Sequence, residues 1–123
     1  VLTGASGVEV LSAARLSKEQ TRARNKETLL EIINSTELSD AQKQEAVDSM
    51  VRMTDIAEKE AAAEVLLQAK GFQEAVVSIN GDAVDVVINA AELSDAQRAQ
   101  IEDIVKRKTD IAAENIVIST IVQ

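Results

Sequence analysis

The hexapeptide ELSDAQ occurs twice, at Glu37–Gln42 and at Glu92–Gln97, and it pins down where two helices must begin. Each copy is followed at the same distance by TDIA, and twelve of the twenty-one positions in Glu37–Ala57 are identical in Glu92–Ala112. Both copies contain S-x-x-Q. In that pattern the serine hydroxyl accepts from the backbone N–H three residues on, and the glutamine reaches back to the serine N–H. Asp40 and Asp95 add negative charge at the positive end of the helix dipole. Beyond TDIA the two copies part. The first runs on into helical sequence, whereas the second leads to the β-branched run Ile116–Ile121. A duplicated domain would repeat its architecture. The repeat is therefore a helix-start signal used twice, not a site.

Nothing in the composition interrupts those helices. The chain of 123 residues has no proline, cysteine, histidine, tryptophan or tyrosine, and Phe72 is its one aromatic residue. Its core must be aliphatic, and one ordinary domain is the expected size. The net charge of −8 argues against a nucleic-acid partner, because phosphate binding needs a basic face. No run of the sequence is apolar enough to span a bilayer.

The chain divides into three segments. Residues 1–10 contain glycine and serine and are expected to form a flexible arm. Residues 11–38 form an N-terminal helical segment, ending in the apolar cluster Leu29, Leu30, Ile32 and Ile33. Its middle, Ser17–Thr28, is almost wholly polar, so it is expected to stand in solvent or to meet a partner's polar surface. Residues 39–123 form the main domain. Its first helix runs over about Asp40–Lys70, with an apolar stripe at Val47, Met50, Thr54, Ala57, Ala61, Val65 and Leu66. At ~1.5 Å per residue it is on the order of 45 Å long, which predicts a kink near Thr54–Glu58 or a helix projecting beyond the sheet. It ends at Lys70-Gly71-Phe72, with Gly71 left-handed and Phe72 folded back on Leu67.

A hairpin comes next. Ala75–Ile79 and Ala83–Asn89 flank Asn80-Gly81-Asp82, a tight-turn signal. Pairing Ile79 with Val84, Val77 with Val86 and Ala75 with Ile88 gives one wholly apolar face. A helix at Asp95–Lys108 packs through Ile101, Ile104 and Val105, and the strand Ile116–Ile121 completes the sheet. The fold class is α+β: N-terminal helices, then an αββαβ sandwich with a three-stranded sheet and helices on one face.

The run EKEAAAEVLLQAKGF at Glu58–Phe72, AVV at Ala75–Val77 and IEDIV at Ile101–Val105 together resemble the C-terminal domain of the stage III sporulation protein AH family. Thr21–Ala46 resembles that family's first helical segment. The likeness implies a ring-building domain, similar to ring modules of type III secretion and flagellar basal bodies. It further implies a place on the mother-cell (outer forespore) membrane, with the domain in the intermembrane space. The anchor would be an N-terminal segment absent from this sequence. The implied partners are stage II sporulation protein Q, other proteins of the stage III sporulation A operon, and further copies in a homo-oligomeric ring.

The residues themselves offer little chemistry. Without histidine or cysteine, a nucleophile–base pair or a metal cluster has few components, and no catalytic residue, cofactor or metal site is expected. Carboxylate pairs such as Glu58/Glu60 and Glu102/Asp103 read as solvated helix faces. Asn80-Gly81-Asp82 offers too few oxygen ligands for calcium. A small-ligand-binding regulatory domain is the alternative, but such pockets usually recruit aromatic residues. The candidate partner-binding residues are Arg22, Arg24 and Lys26 as charge anchors, with Leu29, Leu30 and Ile33 as the apolar centre.

Overall fold

Ser39 and Ser94 cap their helices as the spacing predicts. Both have extended backbones. The Gln42 N–H donates to Ser39 Oγ at 3.2 Å while Gln42 Oε1 accepts from the Ser39 N–H at 3.0 Å. Ser94 and Gln97 repeat the exchange at 3.1 and 2.9 Å. The computed structural model describes residues 7–121. Along them run α1 (Gly7–Ile33), α2 (Asp40–Ala69), β1 (Ala75–Asn80), β2 (Ala83–Asn89), α3 (Asp95–Thr109), a 3₁₀ turn (Ala113–Asn115) and β3 (Ile116–Ile121).

The sheet has the order β1-β2-β3, with β1 antiparallel and β3 parallel to β2. The hairpin register is the expected one, with Ala75 opposite Ile88, Val77 opposite Val86 and Ile79 opposite Val84. Gly81 supplies the turn with φ 64°, while Asp82 keeps a negative φ, as in a type II′ turn. The face carrying Ala75, Val77, Val84, Val86 and Ile88 forms one aliphatic core with Ala63 and Leu67 of α2 and Ile101, Ile104 and Val105 of α3. Helix α2 contacts β1, α3 contacts β3, and the two helices contact each other. They thus lie side by side over one face of the sheet.

The end of α2 is a Schellman motif. The Phe72 N–H donates to Leu67 O at 2.9 Å and the Gly71 N–H to Gln68 O at 3.1 Å, with Gly71 at φ 100°. Phe72 is buried in the core beside Leu67. The second TDIA behaves quite differently from the first. Thr54–Ala57 sit inside α2, whereas Thr109 closes α3 and Asp110 is left-handed at φ 60°. Thr109 secures this end through its hydroxyl, which donates to Val105 O at 2.6 Å and accepts from the Ile111 N–H.

Three expectations need correction, and one open alternative is decided. Residues 7–10 belong to helix α1 and not to an arm. Residues 1–6 lie outside the described residues. Helix α2 is unbroken across Thr54–Glu58, and the projecting helix, not the kink, absorbs its length. Its buried residues are Ala46, Glu60, Ala63 and Leu67, not the expected stripe; Val65 is 65% exposed. Finally, the polar stretch of α1 docks on its own chain.

That docking closes the free edge of β1. In β1, Ala75, Val77 and Ile79 aim their backbone groups away from β2. The Ile79 N–H donates to Glu60 Oε2 at 2.7 Å and the Val77 N–H to Glu64 Oε2 at 2.8 Å, both carboxylates coming from α2. From α1, Lys18 Nζ donates to Val77 O at 2.9 Å and Arg15 Nη2 to Ala75 O at 2.7 Å. Glu60, only 2% exposed, joins the two helices: its Oε1 accepts from Lys18 at 3.0 Å and from Arg22. Polar residues spaced three and four apart in α1 therefore form a face after all, one whose complement is charged.

These contacts set the stability expected of two variants. Gly71→Val should destabilise the protein by about 1–2 kcal/mol, from the strain of a left-handed β-branched residue, since open space surrounds Gly71. An unchanged urea midpoint would contradict this. Glu60→Ala leaves the Ile79 N–H unpaired, takes the counter-charge from half-buried Arg22, and leaves half-buried Lys18 with only the more distant Glu64 at 3.9 Å. Its expected cost is about 2–4 kcal/mol in urea denaturation. A cost near that of an exposed glutamate would place Glu60 outside the fold's essential contacts.

Candidate functional site

Helices α1 and α2 form an antiparallel pair. Lys18 and Arg22 meet Glu60, and further along Ile33 approaches Val47 across the same gap. The C-terminal half of α2 packs on the sheet. In its first half, Ala46 is the single buried residue, so Asp40–Met53 and the end of α1 overhang the sheet by about 20 Å.

Two concave surfaces lie along this pair. The larger is an open cleft of about 600 Å³ between the helices. One wall carries Arg15, Lys18, Arg22 and Lys26, and its floor includes Met50, Met53, Ala57 and Ala61. Among the described residues, Arg15 Nε is a buried nitrogen without a hydrogen-bond partner. The second hollow, about 530 Å³, lies on the overhang and is bordered by Ile33, Val47, Met50, Val51 and Thr54. Leu30 is 38% and Val51 63% exposed, so the overhang shows water an apolar surface that the fold does not need for its core.

The sequence-derived candidates divide between these surfaces. Arg22 is committed to Glu60 and holds α1 in place. Arg24 and Lys26 are exposed, and Lys26 borders the cleft. Leu29 is half-buried, Leu30 exposed, and Ile33 half-buried against the second hollow. Thus Lys26, Leu30 and Ile33 face concave or exposed surface, whereas Arg22 serves the fold. Sequence reasoning missed Val47 and Val51 as surface residues because helical periodicity assigned Val47 to the core stripe. It also missed Glu60, Glu64, Lys18 and Arg15. The signal was there: cations at 15, 18 and 22 of one helix face carboxylates at 60 and 64 of the next.

This geometry favours protein contact over catalysis. Glu60 and Glu64 already accept from strand N–H groups and lysine, which leaves them poor proton shuttles. Glu58, Glu102 and Asp103 are exposed, and Asp103 pairs with Arg107 on the surface of α3. No group of three or more acidic residues among the described residues is placed to hold a metal ion. The cleft has a ligand-sized volume, but its lining lacks aromatic residues.

Comparison with known proteins agrees with this architecture. Stage III sporulation protein AH of Bacillus subtilis (strain 168) is 25% identical over 108 residues, covering 88% of this chain and 50% of that protein. The chain thus spans about half the length of that curated relative. A chain in the solved SpoIIQ–SpoIIIAH pore-forming complex shares the fold with a TM-score of 0.82 at 23% identity, covering 93% of this chain and 98% of that one. The type III secretion system protein EscJ of enteropathogenic E. coli is a more distant neighbour. Its TM-score is 0.53 at 21% identity, over 73% of this chain and 62% of that one. The family model described as SpoIIIAH-like protein matches residues 3–118, and the chain belongs to that family.

Proposed function

We propose that the protein is a non-enzymatic structural subunit of the mother cell–forespore channel complex of endospore formation, binding stage II sporulation protein Q across the intermembrane space. The observation that carries this reading is the extent of the likeness to the chain in the SpoIIQ–SpoIIIAH complex. At 93% of this chain, it is too extensive to leave out α1. The helical overhang, and not only the αββαβ sandwich, is thus part of what the two chains share. Copies assemble side by side into a ring, in company with other proteins of the stage III sporulation A operon. The domain lies in the intermembrane space, tethered to the mother-cell membrane by a segment outside this sequence. No helix among the described residues is long and apolar enough to cross a membrane.

The partner docks on the overhang. Leu30 and Ile33 form the apolar centre with Val47 and Val51, and Arg24 and Lys26 stand at the rim. Exposed charges of that kind set orientation more than affinity. Deleting residues 1–28 would be a poor test, since it also strips Lys18, Arg15 and Arg22 from the β1 edge and from Glu60. Point variants separate the two effects. Leu30→Asp combined with Val51→Asp should weaken binding to the extracytoplasmic domain of stage II sporulation protein Q by at least about tenfold in calorimetry, with the melting temperature unchanged. Undiminished affinity would move the interface off the overhang. No binding by the unmodified chain would overturn the proposal itself.

A further inference from the structure

The two edges of the sheet are treated oppositely. The outward groups of β1 are held by four charged side chains, Arg15, Lys18, Glu60 and Glu64. Those of β3 have no such cover. Ala75, Val77 and Ile79 face away from β2, so Val84, Val86 and Ile88, which stand opposite them, aim their backbone groups at β3. The parallel register of Val84 with Ile116 then turns the N–H and C=O groups of Ile116, Ile118 and Thr120 outward. Among the described residues, the Ile116 N–H is taken up by Ala113 O of the 3₁₀ turn, and no hydrogen bond closes the outward groups of Ile118 and Thr120. The strand Ile116–Ile121 contains no charge, proline or glycine, and Val117 is 52% exposed. The usual devices that blunt an edge strand are missing here.

The helix above this edge indicates what covers it. Helix α3 buries Ile101, Ile104 and Val105, and Gln97 and Gln100 border the end of α2. The opposite flank, toward the open edge, carries Asp95, Arg98, Glu102 and Lys106, all exposed. Their signs alternate along the helix. Turned end for end, the row is its own complement, with Asp95 opposite Lys106 and Arg98 opposite Glu102. An antiparallel copy of the same helix therefore satisfies all four charges, whereas a parallel copy would oppose like with like.

We propose that this edge is a self-association site, at which two copies of the chain pair β3 with β3, antiparallel, across a two-fold axis, while their α3 helices exchange four complementary ion pairs. The contact is isologous and closes at two copies. It is therefore separate from a head-to-tail ring contact and does not depend on binding stage II sporulation protein Q. The product is a continuous six-stranded sheet, closed at both ends by the charged side chains on β1.

Sedimentation equilibrium of the 123-residue chain should show a reversible monomer–dimer equilibrium with no larger species from this contact. Val117→Lys with Ser119→Lys should weaken the dimer by at least about tenfold, because like charges then meet across the paired strands. Arg98→Glu with Lys106→Glu should weaken it comparably. Adding Asp95→Lys and Glu102→Lys to that pair inverts the whole row and should restore the dimer, a rescue that a merely structural role for these residues would not give. Melting curves for each variant identify loss of folding, and the rescue stands even if one edge variant unfolds. A chain that stays monomeric at high micromolar concentration would overturn the proposal, as would a dimer indifferent to both sets of charges. So would a monomer whose β3 variants instead lose binding to a protein partner, because that partner would then be the occupant.

Discussion

Glu60 is the contact on which the arrangement of this protein depends. A carboxylate with 2% of its surface exposed is tolerable only if its charge is met and its oxygens are bonded. Here Lys18 and Arg22 meet the charge and the Ile79 N–H takes the second oxygen. One side chain thereby joins α1, α2 and β1. Without it α1 would be held to the sheet edge by Arg15 and Lys18 alone, and Arg22 would lose its tie to α2. Ion pairs of this kind are weak evidence for added stability and better evidence for a required geometry. The geometry obtained is a long helical pair locked to one edge of a small sheet.

That lock decides where the molecule can meet others. Edge strands are open templates for pairing, and β1 is removed from use by Arg15, Lys18, Glu60 and Glu64. Locking the root of the helical pair also lets its far end extend past the sheet, where Leu30, Val47 and Val51 stay in contact with water. A chain that takes both a partner and a second copy, as proposed above, needs contact surfaces that do not interfere with one another. The overhang and the β3 edge lie on different elements, so a partner and a second copy can be accommodated together.

How much of this was legible in the sequence depended on whether the signal was local. The capping boxes at Ser39 and Ser94, the Schellman end at Gly71 and the hairpin register around Gly81 are decided within a few residues, and each matched its expectation. The buried face of α2 is not local. Hydropathy placed Val47 and Val65 inward, but the neighbouring sheet and α1 select Ala46, Ala63 and Glu60, two small residues and a charge that no apolar scale would pick. The polar middle of α1 was misread for the same reason, since its partner is a carboxylate row on another helix. Of the candidate binding residues, Leu30 and Ile33 lie at accessible surface, while Arg22 is used by the fold.

Charged side chains from two helices satisfy the β1 edge while the β3 edge stays open. Amide hydrogen exchange in the monomer at low concentration tests it residue by residue. The Val77 and Ile79 amides should exchange slowly, like those between paired strands, while the Ile118 and Thr120 amides exchange quickly. In Glu60→Ala, the Ile79 amide alone should lose most of its protection before global unfolding. Fast exchange of Val77 and Ile79 in the unaltered chain, at rates matching Ile118 and Thr120, would contradict a β1 edge closed by side chains.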